Sequence, residues 1–262
     1  MVIDFHTHLF KDELAPKAIG ILTAAAGIPN YTNGTRAGLL ASMQHAGIDL
    51  SVCQHIATRA EQTQTINRWA IEMQSPQLIS FGTIHPDFVD WEAEIDFLAA
   101  AGIKGIKFHP DYQNFTVDDT KMYSLYEKIF SKDLIVLFHA GVDLAFAPPH
   151  ACLPKYLQDI ARDFPQGNIV AAHMGGYRHW DDVEEYLIGK RIYLDTSYSF
   201  EELGNARMSR IIARHGAEHI LFASDSPWKP QDGALEEIQS LQLSSKEIDD
   251  ILGENAKKLL KL

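Results

Sequence analysis

The chain has 262 residues, 46% of them hydrophobic and 22% charged, with a formal net charge of −12. A chain this long buries a large core without staples, and its acidity excludes a sequence-independent grip on nucleic acid or docking on an anionic membrane, both of which need clustered Lys and Arg. Two cysteines, Cys53 and Cys152, are too few for a disulfide framework.

The opening MVIDFHTH has neither a basic n-region nor an apolar h-region. No apolar run approaches the ~20 residues of a membrane span, so a cytoplasmic location is expected. Short β-branched and aromatic runs then alternate with longer amphipathic ones, the pattern of a parallel sheet. The predicted strands are Val2–His8, Ser51–Ala57, Leu78–His85, Gly105–His109, Leu134–Ala140, Asn168–His173, Arg191–Thr196 and His219–Ser224. The predicted helices begin with Arg59–Gln74, which carries Ile66, Trp69, Ala70 and Met73 on one face, and Trp91–Ala101, which stops at Gly102. Thr120–Ser131, Leu153–Phe164, Trp180–Ile188 and Glu201–His215 follow; a late helix opens at Ser245 and Ala256–Leu262 closes the chain. Thr23–Arg36, with Gly27, Pro29, Asn30, Asn33 and Gly34, reads as a loop excursion over the mouth of the fold.

Eight strand–helix units in 262 residues are the complement of a closed (β/α)₈ TIM barrel. An open doubly wound sheet usually carries a glycine-rich phosphate turn after its first strand, and here that strand ends in His-Thr-His. No composition shift or linker divides the chain, so residues 1–262 are expected to form one α/β barrel domain.

In a barrel the carboxyl ends of the strands converge on one face, where active sites are built. His6, His8, His55, His85, His109, His139 and His173 all fall at such ends. His6 and His8 stand two apart on a strand and therefore share a face. His139 ends the apolar run Leu134–Phe138, and Asp225 follows Ile220–Ala223, although a residue before Ser226-Pro227 also suits a turn. Three imidazoles, one carboxylate and a water suit a catalytic divalent ion. Lys107 and His109 share a face of the fourth strand, which lets His109 reach a substrate. Trp228 and Tyr198 are expected in a pocket wall, His55 and His85 in supporting roles. Arg178, just beyond the sixth strand, is the best placed arginine for a substrate carboxylate.

The fragments IDFHTH, GIKFHP, LFHAG, AAHMGG, LDTS, ASDSPW and GENAKKLL occur in that order along the chain. In their order and spacing the chain resembles the amidohydrolase superfamily, and within it the group of TIM-barrel metal-dependent hydrolases related to aminocarboxymuconate semialdehyde decarboxylase. The resemblance implies that His6, His8, His139 and Asp225 are metal ligands. It implies that His173 orients or deprotonates a metal-activated water, with Asp225 also able to shuttle the proton. Lys107 is either a carboxylated bridge between two metals, as strand-four lysines are in some superfamily members, or a buried lysine paired with an acid such as Asp4. One divalent ion is expected, Zn²⁺ by default, with a second metal left open; Mn²⁺, Co²⁺ and Fe²⁺ accept similar donors.

The expected function is hydrolysis of a small ester, lactone or amide, because GIKFHP looks more like the hydrolase members than the decarboxylases. The alternative is non-oxidative decarboxylation of a small unsaturated or aromatic carboxylic acid. From a different class comes a non-catalytic metal-binding barrel, since a fold does not guarantee a function. The expected partner is a small-molecule substrate, with neither nucleic acid nor membrane, and a homodimer stays open.

Overall fold

A computed structural model describes residues 1–262. Its strands are β1 (Ile3–Thr7), β2 (Leu50–Cys53), β3 (Leu78–Ser80), β4 (Gly82–Thr83), β5 (Gly105–Phe108), β6 (Ile135–Phe138), β7 (Asn168–Ala171), β8 (Tyr193–Asp195) and β9 (Ile220–Leu221). All pairs are parallel; β1 to β3 follow one another in one ladder and β4 to β9 in a second. Backbone bonds join the two ladders. Phe81 N donates to Cys53 O at 2.9 Å, so β3 and β4 form one stave interrupted at Phe81. Phe5 N donates to Phe222 O at 2.8 Å and Asp225 N to His6 O at 2.9 Å, which ties β1 to the stave of β9. The eight staves close into the predicted α/β barrel.

The strands are buried on both faces, which is why they read as continuous apolar runs. Inward, Phe5, Val52, Phe81, Leu137, Val170 and Leu221 pack into one cluster, closed below by Leu259 and Leu260 of the helix Asn255–Leu260. Outward, Phe108, Phe138 and Phe222 join the larger cluster that packs the helices against the barrel. The predicted strands overrun the ladders at their carboxyl ends. The backbone bonding runs one residue further, with Gln54 N donating to Thr7 O at 2.8 Å and Ala172 N to Phe138 O at 2.9 Å, and the chain bends over the mouth beyond it.

One irregularity decides how the first strand points. Ile3 pairs with Leu50 and Asp4 with Ser51, but Thr7 pairs with Cys53, so Phe5 and His6 together stand opposite Val52. Such a one-residue bulge re-aims the side chains after it. Phe5 packs in the inner cluster, and His6, its neighbour, also reaches the interior, where it meets Lys107. Asp4 is left on the outer side, bonded to Ser224 N at 2.9 Å, Ser224 Oγ at 2.5 Å and Gln231 Nε2 at 2.8 Å. Burial pushes the Asp4 carboxyl up to about 6, against those hydrogen bonds. The suggested pairing of Lys107 with Asp4 is thereby overturned, because the bulge sets Asp4 and His6 on opposite sides of the stave.

The excursion is also more ordered than expected. Ala15–Ala26 is a helix with Pro16 in its first turn and Gly27 closing it at φ 68°, both favoured positions. Thr35 caps the next helix, Arg36–Ala46, by accepting from Gly38 N at 3.0 Å. The loop thus shrinks to residues 27–35. Gly204, at φ 73°, splits the expected helix Glu201–His215 into Phe200–Leu203 and Asn205–His215, and Gln231–Gln239 is a helix that the pattern did not reveal. No helix is long and apolar enough to cross a membrane.

Phe5 is fully buried, with its ring edge-on to Phe81 at 5.8 Å between centroids. Phe5→Ala leaves a cavity at the centre of the barrel and is expected to cost about 3–5 kcal/mol. Urea unfolding followed by circular dichroism checks this as a lower midpoint at an unchanged slope.

Candidate metal centre and its cavity

The carboxyl ends of the strands open into a cavity of about 520 Å³, a volume typical of small-molecule sites. His6, His8, His109, His139, His173, Asp225, Tyr198 and Trp228 all line it, as do His55 and Lys107. Three of them are delivered by strained backbone: His173 has φ 58°, Tyr198 φ 49° and Asp225 φ 71°, a region that costs a non-glycine residue energy and that clusters at functional sites.

His6, His8 and Asp225 converge. The two Nε2 atoms are 3.2 Å apart, and Asp225 Oδ1 lies 3.6 Å from His6 Nε2 and 3.3 Å from His8 Nε2. These three residues are spaced to hold one metal ion. Their far sides are tied down. His6 Nδ1 meets Asp195 Oδ2 at 2.9 Å and His8 Nδ1 meets Gln54 O at 3.1 Å. Carboxylate and carbonyl oxygens only accept, so both Nδ1 atoms carry the proton and both Nε2 atoms present a lone pair. Carboxylate or carbonyl partners behind histidine ligands orient them in this way.

Asp195 organises more than His6. It is completely buried, and its Oδ1 accepts from His173 N at 3.0 Å, from Ser197 N at 3.1 Å and from the Ser197 hydroxyl. Burial alone would raise its pKa, but the charge and hydrogen bond of His6, then His173 and Ser197, outweigh burial and hold it well below the usual carboxylate range. Burial likewise opposes ionisation of Asp225, and His8, His6 and His173 more than compensate. His6 goes the other way: burial and then the Lys107 charge lower it to about 4, against the pull of Asp195 and Asp225. At neutral pH His6 therefore offers a neutral imidazole and Asp225 a carboxylate, the protonation states that coordinate a cation.

His139 stands apart from the trio. Its ring stacks on His109 at 4.1 Å between centroids, 11° from parallel, and these two with Asp143 make a second group of metal-capable side chains. His173 connects the halves. His173 Nδ1 lies 3.1 Å from Ser197 O, so its Nε2 accepts from His139 Nδ1 at 3.0 Å. That leaves His139 Nε2 buried without a hydrogen-bond partner. Buried nitrogen lone pairs left bare cost free energy, and the His6 and His8 pair, facing each other at 3.2 Å, repel unless a proton or cation lies between them. The donor set of imidazole nitrogens and a carboxylate suits a borderline divalent ion.

Lys107 lies beneath this site, with Nζ 3.2 Å from His6 Nε2. Burial pushes it down to about 8, partly offset by the charges of Asp195 and Asp225. His109 Nε2 lies 3.0 Å from Asp143 Oδ2, and its Nδ1 is buried without a partner.

Arg178, expected at a substrate carboxylate, stands outside the cavity. Its Nε donates to Glu202 Oε2 at 2.8 Å and its guanidinium lies over the Tyr177 ring. It braces the wall, because the left-handed turn at Arg178, φ 60°, carries the side chain away from the mouth. The cavity's cations are lysines instead, Lys107 and Lys11. Sequence reasoning passed over Asp195, Ser197 and Asp143. Asp195 ends a strand in LDTS, one position beyond Leu194, so the same alternation that singled out His6 and His8 would have found it. Asp143 lies in an irregular loop, where no periodicity applies.

Comparison with known proteins agrees with this architecture. The family model described as Amidohydrolase matches residues 3–262. No match was found among curated proteins. Among solved structures, 5-carboxyvanillate decarboxylase from Sphingomonas paucimobilis is similar at 16% identity and TM-score 0.75, covering 100% of this chain and 99% of that one. A 2,6-dihydroxybenzoate decarboxylase from Rhizobium is similar at 15% identity and TM-score 0.73, covering 99% and 98%. A 5-carboxyvanillate decarboxylase from Novosphingobium aromaticivorans, with bound manganese, is similar at 14% identity and TM-score 0.74, covering 100% and 97%.

Asp195→Asn tests the tethering of His6. The amide would turn an N–H toward His6 Nδ1, or lose its other bonds, and the imidazole would then carry its proton on Nε2. Affinity for Mn²⁺ or Zn²⁺ is expected to fall about 10- to 100-fold while the circular dichroism spectrum stays unchanged. Competition with a chromophoric chelator measures the loss.

Proposed function

The chain belongs to the amidohydrolase family, and we propose that it is a divalent-metal-dependent enzyme that releases carbon dioxide from a small unsaturated or aromatic carboxylic acid. His6, His8 and Asp225 would hold the ion, with His139 as the further imidazole donor and residues 1–262 acting as one unit. A cation bound there would supply Lewis-acid polarisation of a substrate oxygen. The protein's own side chains account for the rest. Lys107 on the floor and Lys11 at the mouth attract the carboxylate. As the bond to the carboxyl carbon breaks, its electron pair stays on the substrate carbon, which takes up a proton drawn from solvent and relayed by Asp225 or His173, and carbon dioxide leaves.

The observation that carries this reading is the apolar character of the cavity around a cationic, imidazole-rich floor: 15 of its 30 lining residues are hydrophobic. Walls of this kind strip water from a carboxylate, and loss of carbon dioxide disperses the charge that is then poorly solvated. The similar structures of decarboxylases of carboxylated phenols support it. Hydrolysis, placed first on the strand-four GIKFHP pattern, therefore becomes the second reading, and decarboxylation the first. The buried, unpartnered Nε2 of His139 speaks against a purely structural metal site, which tends to be closed by its protein ligands. One ion is proposed, with Mn²⁺ tested beside Zn²⁺ because a similar structure holds manganese.

The test is a substrate panel on protein loaded with Mn²⁺ or Zn²⁺: 5-carboxyvanillate, 2,6-dihydroxybenzoate, other carboxylated phenols, and simple lactones, esters and amides. Carbon dioxide release from at least one acid is expected, reduced about 100-fold or more in Asp225→Asn. Turnover of a lactone, ester or amide without carbon dioxide release would reverse the order of the two reactions. Fully metal-loaded protein that turned over nothing would favour a binding role.

A further inference from the structure

The reacting groups crowd onto the cavity floor, yet much of the cavity lies elsewhere. One wall is built from two segments remote from the chemistry: Leu14, Leu22 and Ile28 in and beside the helix Ala15–Ala26, and Ile66 and Trp69 of the helix Thr63–Met73. A volume of about 520 Å³ is that of a site for a drug-sized ligand. A single carboxylated ring seated on the floor would leave this wall facing water. Leu14 is 53% exposed even though it lines the cavity, an apolar surface that the floor chemistry does not need.

His55 adds an independent observation. It lines the same cavity, is only 3% exposed, and packs its ring on Trp69 at 4.8 Å between centroids. Its Nε2 is buried with no hydrogen-bond partner. A buried polar atom in this state calls for an explanation, and the tethering network of Asp195, Ser197 and Gln54 does not include it. A neutral imidazole offers one donor and one acceptor, which suits a hydroxyl or carbonyl group better than a charge.

We propose that this wall is a second subsite, which takes an extended apolar part of the substrate between Trp69 and the excursion helix while His55 hydrogen-bonds one hydroxyl or carbonyl group carried on that part. The substrate is then a fused-ring or ring-substituted acid rather than a single small ring. The orientation rests on the floor receiving the carboxylate; the subsite itself rests on the wall residues.

Isothermal titration of the Mn²⁺-loaded full chain with benzoate, naphthoate, hydroxynaphthoate isomers and naphthol tests it. Naphthoate is expected to bind about tenfold or more tightly than benzoate, from the added apolar burial, and Trp69→Ala to abolish that gain. At least one hydroxynaphthoate is expected to bind a further several-fold more tightly than naphthoate, a gain of about one hydrogen bond. That second gain should vanish in His55→Phe, which keeps the packing on Trp69, and return in part in His55→Gln. Metal content and melting temperature of each variant establish that it is folded. Equal affinities for benzoate and naphthoate, or gains that survive in Trp69→Ala and His55→Phe, would overturn the subsite. If naphthol alone bound, with the same dependence on Trp69, the subsite would stand and the carboxylate reading of the floor would fail. If no probe bound, the subsite would be overturned.

Discussion

A single buried carboxylate, Asp195, sets the orientation of the whole site. A charge without solvent is tolerated only when it is fully hydrogen-bonded, and Asp195 collects donors from His6, from the backbone of His173, and from both the backbone and the hydroxyl of Ser197. The consequences run outward. With Nδ1 of His6 committed, its Nε2 must face the cavity as an acceptor. With His173 Nδ1 committed to Ser197 O, its Nε2 draws the proton of His139, and His139 presents its own bare nitrogen. Protons point into the protein and lone pairs toward the mouth.

The barrel makes that arrangement possible by where it stops. Its ladders end just short of most of the functional residues, and the chain bends beyond them. The bulge in β1 lets Phe5 fill the barrel interior while His6, the next residue, reaches the site. Left-handed backbone at His173 and Asp225 turns each away from strand geometry, and each is pinned by a backbone bond, His173 N to Asp195 and Asp225 N to His6 O. Strain is thus held at the site by the same bonds that orient the donors. The packing below is ordinary close-packed apolar core, and it provides the rigidity that a site built from distant segments needs.

Much of this is legible in the sequence, for identifiable reasons. Continuous apolar runs ending in histidine announce strands buried on both faces with polar tips at one end, and that pattern locates the barrel and the trio of His6, His8 and Asp225. What escapes lies where periodicity fails. A one-residue bulge leaves no mark in composition, so Asp4 looks like a partner for Lys107 when it belongs to Ser224 and Gln231. Arg178 lies close to a strand end in the sequence, and a left-handed turn sends it to Glu202 instead. The helix Ala15–Ala26 lacks a clear apolar stripe, because one of its faces lines a cavity rather than a core. That same departure from core patterning makes the excursion informative about ligands.

Floor and walls answer different questions. The floor concerns charge: a cation, its nitrogen and oxygen donors, and a proton to be moved. The walls concern size and shape. The chemistry stands or falls with the floor, and anomalous diffraction from crystals grown with Mn²⁺ probes it most directly. One strong peak bounded by His6, His8 and Asp225 is expected. A peak confined to His109, His139 and Asp143, or no peak at full metal concentration, would contradict the assignment.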